Sequence, residues 1–112
     1  MTRTIALHTR IAEGSEADYV REHAVVPPEL DAALRRAGVH GWRIWRDGRD
    51  LFHLVEVEDY QAMRRTLAAD PANQRWQEHI NRFLEVADSY DAEDDGIEHV
   101  WSLPATPPAE QS

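Results

Sequence analysis

The sequence predicts a single α+β domain of the split β-α-β kind, with four antiparallel strands in one sheet and all helices on one face of it. Three observations lead there. RTIALHTRI (3–11), VHGWRIWRD (39–47), LFHLVEVE (51–58) and IEHVWSLP (97–104) show the apolar alternation or β-branched and aromatic content of strands. Helix-spaced apolar residues with start and stop signals fill 16–37 and 59–87. The resulting order is β, α-α, β, β, α-α, β, and a split β-α-β with right-handed crossovers places those elements in that arrangement. Strand neighbours point to opposite faces, so Ile5, Leu7, Ile44, Phe52, Leu54 and Val100 cannot all lie under the helices. A second copy packed sheet to sheet is the predicted cover, giving a homodimeric α/β barrel.

Each element has its own local signal. In the first strand Ile5, Leu7 and Thr9 share a side, and Gly14 follows as a break. Ser15 then reads as an N-cap with Asp18 in the first turn, starting a helix near Glu16 that ends by Val26, because Pro27 disfavours helical geometry before it. Pro28 suits the first turn of the next helix, whose Leu30, Ala33, Leu34 and Ala37 recur on one face until Gly38 closes it. Residues 39–58 read as a β-hairpin around RDGRD. Asp59 caps a helix to about Ala69, and the Asp70-Pro71 pair starts another to about Ala87. DSYDAEDDG (88–96) reads as a solvated loop before the last strand. The domain is thus assigned to 1–104 and a polar C-terminal tail to 105–112.

Composition removes several function classes. A net charge of −9, from 21 acidic and 12 basic residues, disfavours nucleic acid and anionic membranes, which need a basic face. There is no cysteine, hence no thiolate nucleophile and no disulfide. Every basic residue is arginine, so a lysine Schiff base is excluded. No apolar run approaches the ~20 residues of a membrane span, and MTRTIALHTR lacks a signal peptide's apolar stretch, which predicts a cytoplasmic protein. Without a phosphate loop, a G-x-S-x-G elbow or a Rossmann fingerprint, no cofactor is expected.

Tyr19 and His23, four apart on a helix, are neighbours on one face. Imidazole, with an ordinary pKa of ~6.5, suits giving and taking a proton in one cycle. The plainer reading is a part-exposed histidine with Tyr19 packing on the sheet. The six histidines show no metal-ligand spacing, and Glu56 with Glu58 lacks a matching histidine, so no metal is expected. His53 and His99, inside strand patterns, read as satisfied core or interface residues. Trp42, Trp45, Trp76 and Trp101 are each candidate core residues, yet a pyranose can lay its C–H face on an indole. Trp42 and Trp45, three apart on a strand, point to opposite faces, so at most one shares a pocket with the helices.

DYVREH (18–23), PEL (28–30), GVHGWRIW (38–45), LFHLVEVED (51–59) and DPANQRW (70–76) together resemble the L-rhamnose mutarotase family over nearly the whole chain. The resemblance implies a ferredoxin-like α+β domain, a sheet-to-sheet homodimer, and cofactor-free interconversion of the α and β anomers of a deoxyhexose. It implies His23 as general acid/base, and Tyr19, Trp42 and Trp76 as sugar contacts, with Trp42 where the family usually has tyrosine. Gln77 replaces a second tryptophan, Pro27 another, Glu22 an arginine, and ADSYD an Asn-Pro-Asp-Asn segment. Fewer aromatic walls extend the expected substrates from L-rhamnose to L-fucose and other uncommon hexoses, with Gln77 either a rim hydrogen-bonder or turned outward. The alternative is a small-ligand binder or a cofactor-free oxygenase of the same architecture.

Overall fold

The computed structural model describes residues 2–87, 90 and 95–103. Three strands, β1 (Arg3–Arg10), β2 (Val39–Asp47) and β3 (Asp50–Val57), form one antiparallel sheet in the order β1-β3-β2. The predicted hairpin is present, turning at Gly48. Four helices follow the predicted starts: α1 (Glu16–Glu22), α2 (Pro28–Arg36), α3 (Tyr60–Ala68) and α4 (Pro71–Ile80).

Register decides which side chains meet the helices. Leu7, Val55 and Val57 bury on the helix side with Ala33 of α2 and Tyr60, Met63 and Leu67 of α3. Ile11 and Leu51 do so with Tyr19 of α1 and Ile80 of α4. In β2 both Val39 and Trp42 pair with inward residues, Val57 and Val55, although three positions apart they should face opposite ways. A register shift between Val39 and Gly41 resolves this, because the extra residue of a bulge inverts the alternation beyond it. Trp42 therefore turns toward the helices and Trp45, 52% exposed, away from them.

Capping bears out two helix starts and qualifies a third. Asp59 accepts from the backbone N–H of Ala62 at 3.0 Å, and Asp70 from those of Ala72 at 2.8 Å and Asn73 at 3.2 Å. Ser15 makes no side-chain capping bond; its carbonyl accepts from Tyr19 N–H at 2.9 Å. α1 ends at Glu22, earlier than Val26, since Val25 and Val26 are β-branched and lead into Pro27. α2 closes on Gly38, whose φ of +96° is the left-handed geometry that glycine reaches without strain.

The last helix and last strand depart from the prediction for one shared reason. α4 gives way to a 3₁₀ turn (Asn81–Phe83), after which residues 83–85 run along the free edge of β1: Ala12 N–H donates to Phe83 O at 2.8 Å and Glu85 N–H to Arg10 O at 2.8 Å. Edge groups of β1 hold this segment extended where apolar spacing alone predicts helix to about Ala87. The same edge receives Ile97 N–H at Ala6 O, 2.7 Å, but 97–103 adds no further ladder and is not a fourth strand. The four-stranded sheet is thus corrected to three. Gly96 crosses β1 so closely that a Cβ there would lie 2.7 Å from Ala6 O. Val100 and Trp101, at 87% and 73% exposure, bury neither face of an alternating pattern. Most of the predicted acidic loop and the whole tail 105–112 lie outside the described residues. Among the described residues no helix is long and apolar enough to cross a membrane.

Candidate functional site

A cleft of about 540 Å³ lies where α1, α2 and α4 meet over the sheet, and its size falls in the usual range for small ligands. All five residues singled out in the sequence, Tyr19, His23, Trp42, Trp76 and Gln77, line it. α1 supplies Tyr19 and, as the residue that caps its C-terminus, His23 one turn on, with ring centroids 4.2 Å from each other. α4, started by Asp70 and Pro71, carries Trp76, whose indole meets the His23 ring edge-on with centroids 5.2 Å apart. Trp42 reaches the cleft through the β2 bulge.

The His23 imidazole has a defined proton position. A carbonyl only accepts, so Nδ1–H donates to Tyr19 O at 3.1 Å. In the neutral ring Nε2 then carries a lone pair, and among the described residues it makes no hydrogen bond. Burial pushes the His23 pKa down, against the opposing pull of the Tyr19 carbonyl and the Glu22 charge. At neutral pH the ring is therefore a free base with its acceptor nitrogen available.

The spacing between His23 and Trp76 is set by a latch between their helices. His79 Nε2 lies 2.6 Å from Glu22 Oε1, and the Arg82 guanidinium donates to His79 Nδ1, so Nε2 carries the proton and donates to the carboxylate. The hydrogen bond from His79, with the charge of Arg21 adding to it, holds the Glu22 carboxyl below the ordinary carboxylate range despite some desolvation. Gln77 is half-buried at the cleft, and its side-chain amide makes no hydrogen bond among the described residues.

Two cleft residues were missed in the sequence. His53 is not simply a core histidine: it lines the cleft floor, accepts from Trp42 Nε1–H at 3.1 Å and lies 2.9 Å from Thr9 Oγ1, also a lining residue. Burial, helped by the neighbouring His23 and His8, lowers the His53 pKa to about 4. The available signal was two polar residues, Thr9 and His53, interrupting otherwise apolar inward faces. His99, by contrast, is exposed beside Ser102. No group of three or more potential metal ligands occurs among the described residues.

A family model described as L-rhamnose mutarotase matches residues 4–103. The L-rhamnose mutarotase of Cronobacter sakazakii is 35% identical over 69 residues, and that of Opitutus terrae 39% over 69 residues, each alignment covering 60% of this chain. The chain spans 65% of the length of each of these two relatives. That of Verminephrobacter eiseniae is 35% identical over 81 residues, 70% of this chain and 76% of its own. The fold is that of an L-rhamnose mutarotase of Formosa agariphila, with a TM-score of 0.72 at 21% identity over 91% of this chain and 99% of the other. With both helix pairs, the hairpin and all but the first residue of the N-terminal strand inside the matched span, the chain belongs to the L-rhamnose mutarotase family.

Proposed function

We propose that the protein is a cofactor-free mutarotase that interconverts the α and β anomers of a deoxyhexose, L-rhamnose first, with L-fucose as the alternative sugar. The observation that carries this is the convergence of Tyr19, His23, Trp42, Trp76 and Gln77 on one cleft, with His23 Nε2 unprotonated and without a hydrogen-bond partner among the described residues. Trp76 offers an indole face to the C–H side of the pyranose, and the free amide of Gln77 serves hydroxyls at the rim. Tyr19 packs against His23 and shapes the end of the cleft nearest the base.

In the reaction His23 Nε2 removes the proton of the anomeric hydroxyl. The C1–O5 bond breaks as O5 takes up a proton, which we assign to solvent, since His23 and Trp76 are only half-buried. Rotation about C1–C2 presents the other face of the aldehyde, O5 adds back and loses its proton, and the imidazolium returns its proton to O1. One base contributing ~10² to 10⁴ in rate meets the modest demand of this chemistry.

The outer sheet face supports a homodimer. Trp45 and Phe52 pair across β2 and β3 at 52% and 44% exposure, with the His8 ring 5.3 Å from Phe52. A second sheet would cover this row, and Trp45→Glu should shift sedimentation from dimer to monomer.

Saturation-transfer NMR of anomer exchange tests the activity. Micromolar protein should accelerate exchange of L-rhamnose or L-fucose above the buffer rate; no acceleration across a panel of 6-deoxy and common hexoses would reject the reading. The apolar wall of Leu30, Leu34 and Ile80 favours the second reading, a binder or oxygenase of planar aromatic compounds. Stabilisation by flavonoids or quinones and by no monosaccharide would select it, because a ligand of the native state raises the melting temperature.

A further inference from the structure

The floor of the cleft holds a hydrogen-bond chain whose direction is fixed by a donor-only group. Indole nitrogen can only donate, so in the 3.1 Å contact Trp42 Nε1–H points at His53 Nδ1, which carries no proton. The neutral ring keeps its proton on Nε2 and donates it to Thr9 Oγ1 at 2.9 Å. Thr9 thereby spends a lone pair, and its own O–H has no acceptor among the described residues. The three side chains come from β2, β3 and β1, at diagonal positions on the sheet, and all of them line the cleft. The acid–base steps above use none of them.

We propose that Trp42, His53 and Thr9 form a specificity relay, in which the Thr9 hydroxyl donates to one oxygen of the bound sugar and His53 is a positioning residue that aims it. The relay rests on the sugar reading given above. A ligand that fills the cleft excludes solvent from this donor, which is then left unpaired at a cost unless the ligand brings an oxygen to it. Sites built this way reject analogues that lack the oxygen far more strongly than apolar walls reject a changed methylene. Mounting the chain on three paired strands fixes the donor before the ligand arrives. Burial, with His53 held near a pKa of about 4, keeps the ring neutral and the direction constant throughout the neutral range.

The test pairs anomer-exchange kinetics with imidazole NMR. Thr9→Val keeps the shape and deletes the O–H; it should raise KM by about three- to tenfold, more than it lowers kcat, the usual worth of one hydrogen bond. Thr9→Ser should restore KM. His53→Gln, whose amide can accept at one end and donate at the other, should be intermediate, and adding it to Thr9→Val should cost nothing further. Among singly deoxygenated sugars, the one most penalised by wild-type protein should lose its penalty with Thr9→Val. Nitrogen-15 spectra should show the His53 proton on Nε2. Wild-type KM in Thr9→Val, an unchanged deoxy-sugar profile, or a proton on His53 Nδ1 overturns the relay. Active wild-type protein with an indifferent Thr9→Val sinks the relay alone, whereas wild-type protein that neither binds nor turns over any sugar sinks the sugar reading with it.

Discussion

Acid should destabilise this protein through His53. Both nitrogens of that ring are committed, Nδ1 as acceptor from Trp42 and Nε2 toward Thr9, so a second proton must break the Trp42 bond and place a charge on the cleft floor. The folded-state pKa is accordingly lowered from 6.5 to about 4. Between those values the unfolded chain binds more protons than the folded one, so stability is full above ~6.5 and falls as pH drops toward ~4. A gap of about 2.5 units, at about 1.4 kcal/mol each, amounts to about 3 kcal/mol. For a domain of this size that is a fall of roughly 10–20 °C in Tm. His23, also lowered by burial, acts in the same direction, so the wild-type slope alone does not isolate His53. Thermal melts at pH 7 and pH 4 on wild-type and His53→Gln proteins do, and the variant should lose roughly 10 °C less than wild type. Equal losses, or an NMR titration of His53 with its midpoint near the ordinary histidine value, would refute the reasoning.

Three other perturbations separate chemistry from architecture. His23→Asn keeps an N–H able to reach the Tyr19 carbonyl and deletes Nε2; anomer exchange should fall about 10²- to 10⁴-fold while the melting temperature barely moves. Because the His23 pKa is lowered, the wild-type rate should hold through neutral pH and fall only below ~6.5, the ordinary histidine value. Glu22→Gln weakens the latch to His79 and should raise sugar KM with little change in stability, since the amide keeps an acceptor for His79 and the pair is partly exposed to solvent. Asp70→Ala removes a side chain that caps two N–H groups at the start of α4, and should cost about 1 kcal/mol, seen as a melting shift of a few degrees.

Much of the fold was legible because its signals are local. Asp59, the Asp70-Pro71 pair, Gly38 and the RDGRD turn each act within a few residues, and each begins or ends an element where the chain does. The i, i+4 pairing of Tyr19 and His23 was equally local. What was not legible depends on partners distant in the chain. Alternation counted from Val39 turns Trp42 outward, and only the pairing with β3 reveals the bulge that turns it in. His53 on an apolar face reads as core until the register sets Thr9 and Trp42 beside it. Residues 81–87 have helical spacing and 97–104 have strand character, yet the edge of β1 binds the first segment extended and, among the described residues, takes a single backbone bond from the second, that of Ile97.

The proposed reaction requires His23 and Trp76 to face one bound sugar. Intermolecular NOEs between L-rhamnose, or L-fucose if that sugar exchanges faster, and the assigned rings of the protein measure this directly. The sugar's C–H protons should give cross-peaks to the Trp76 indole and to His23 Hε1 in the same complex. Cross-peaks to Trp45 or Trp101 in their place would contradict it.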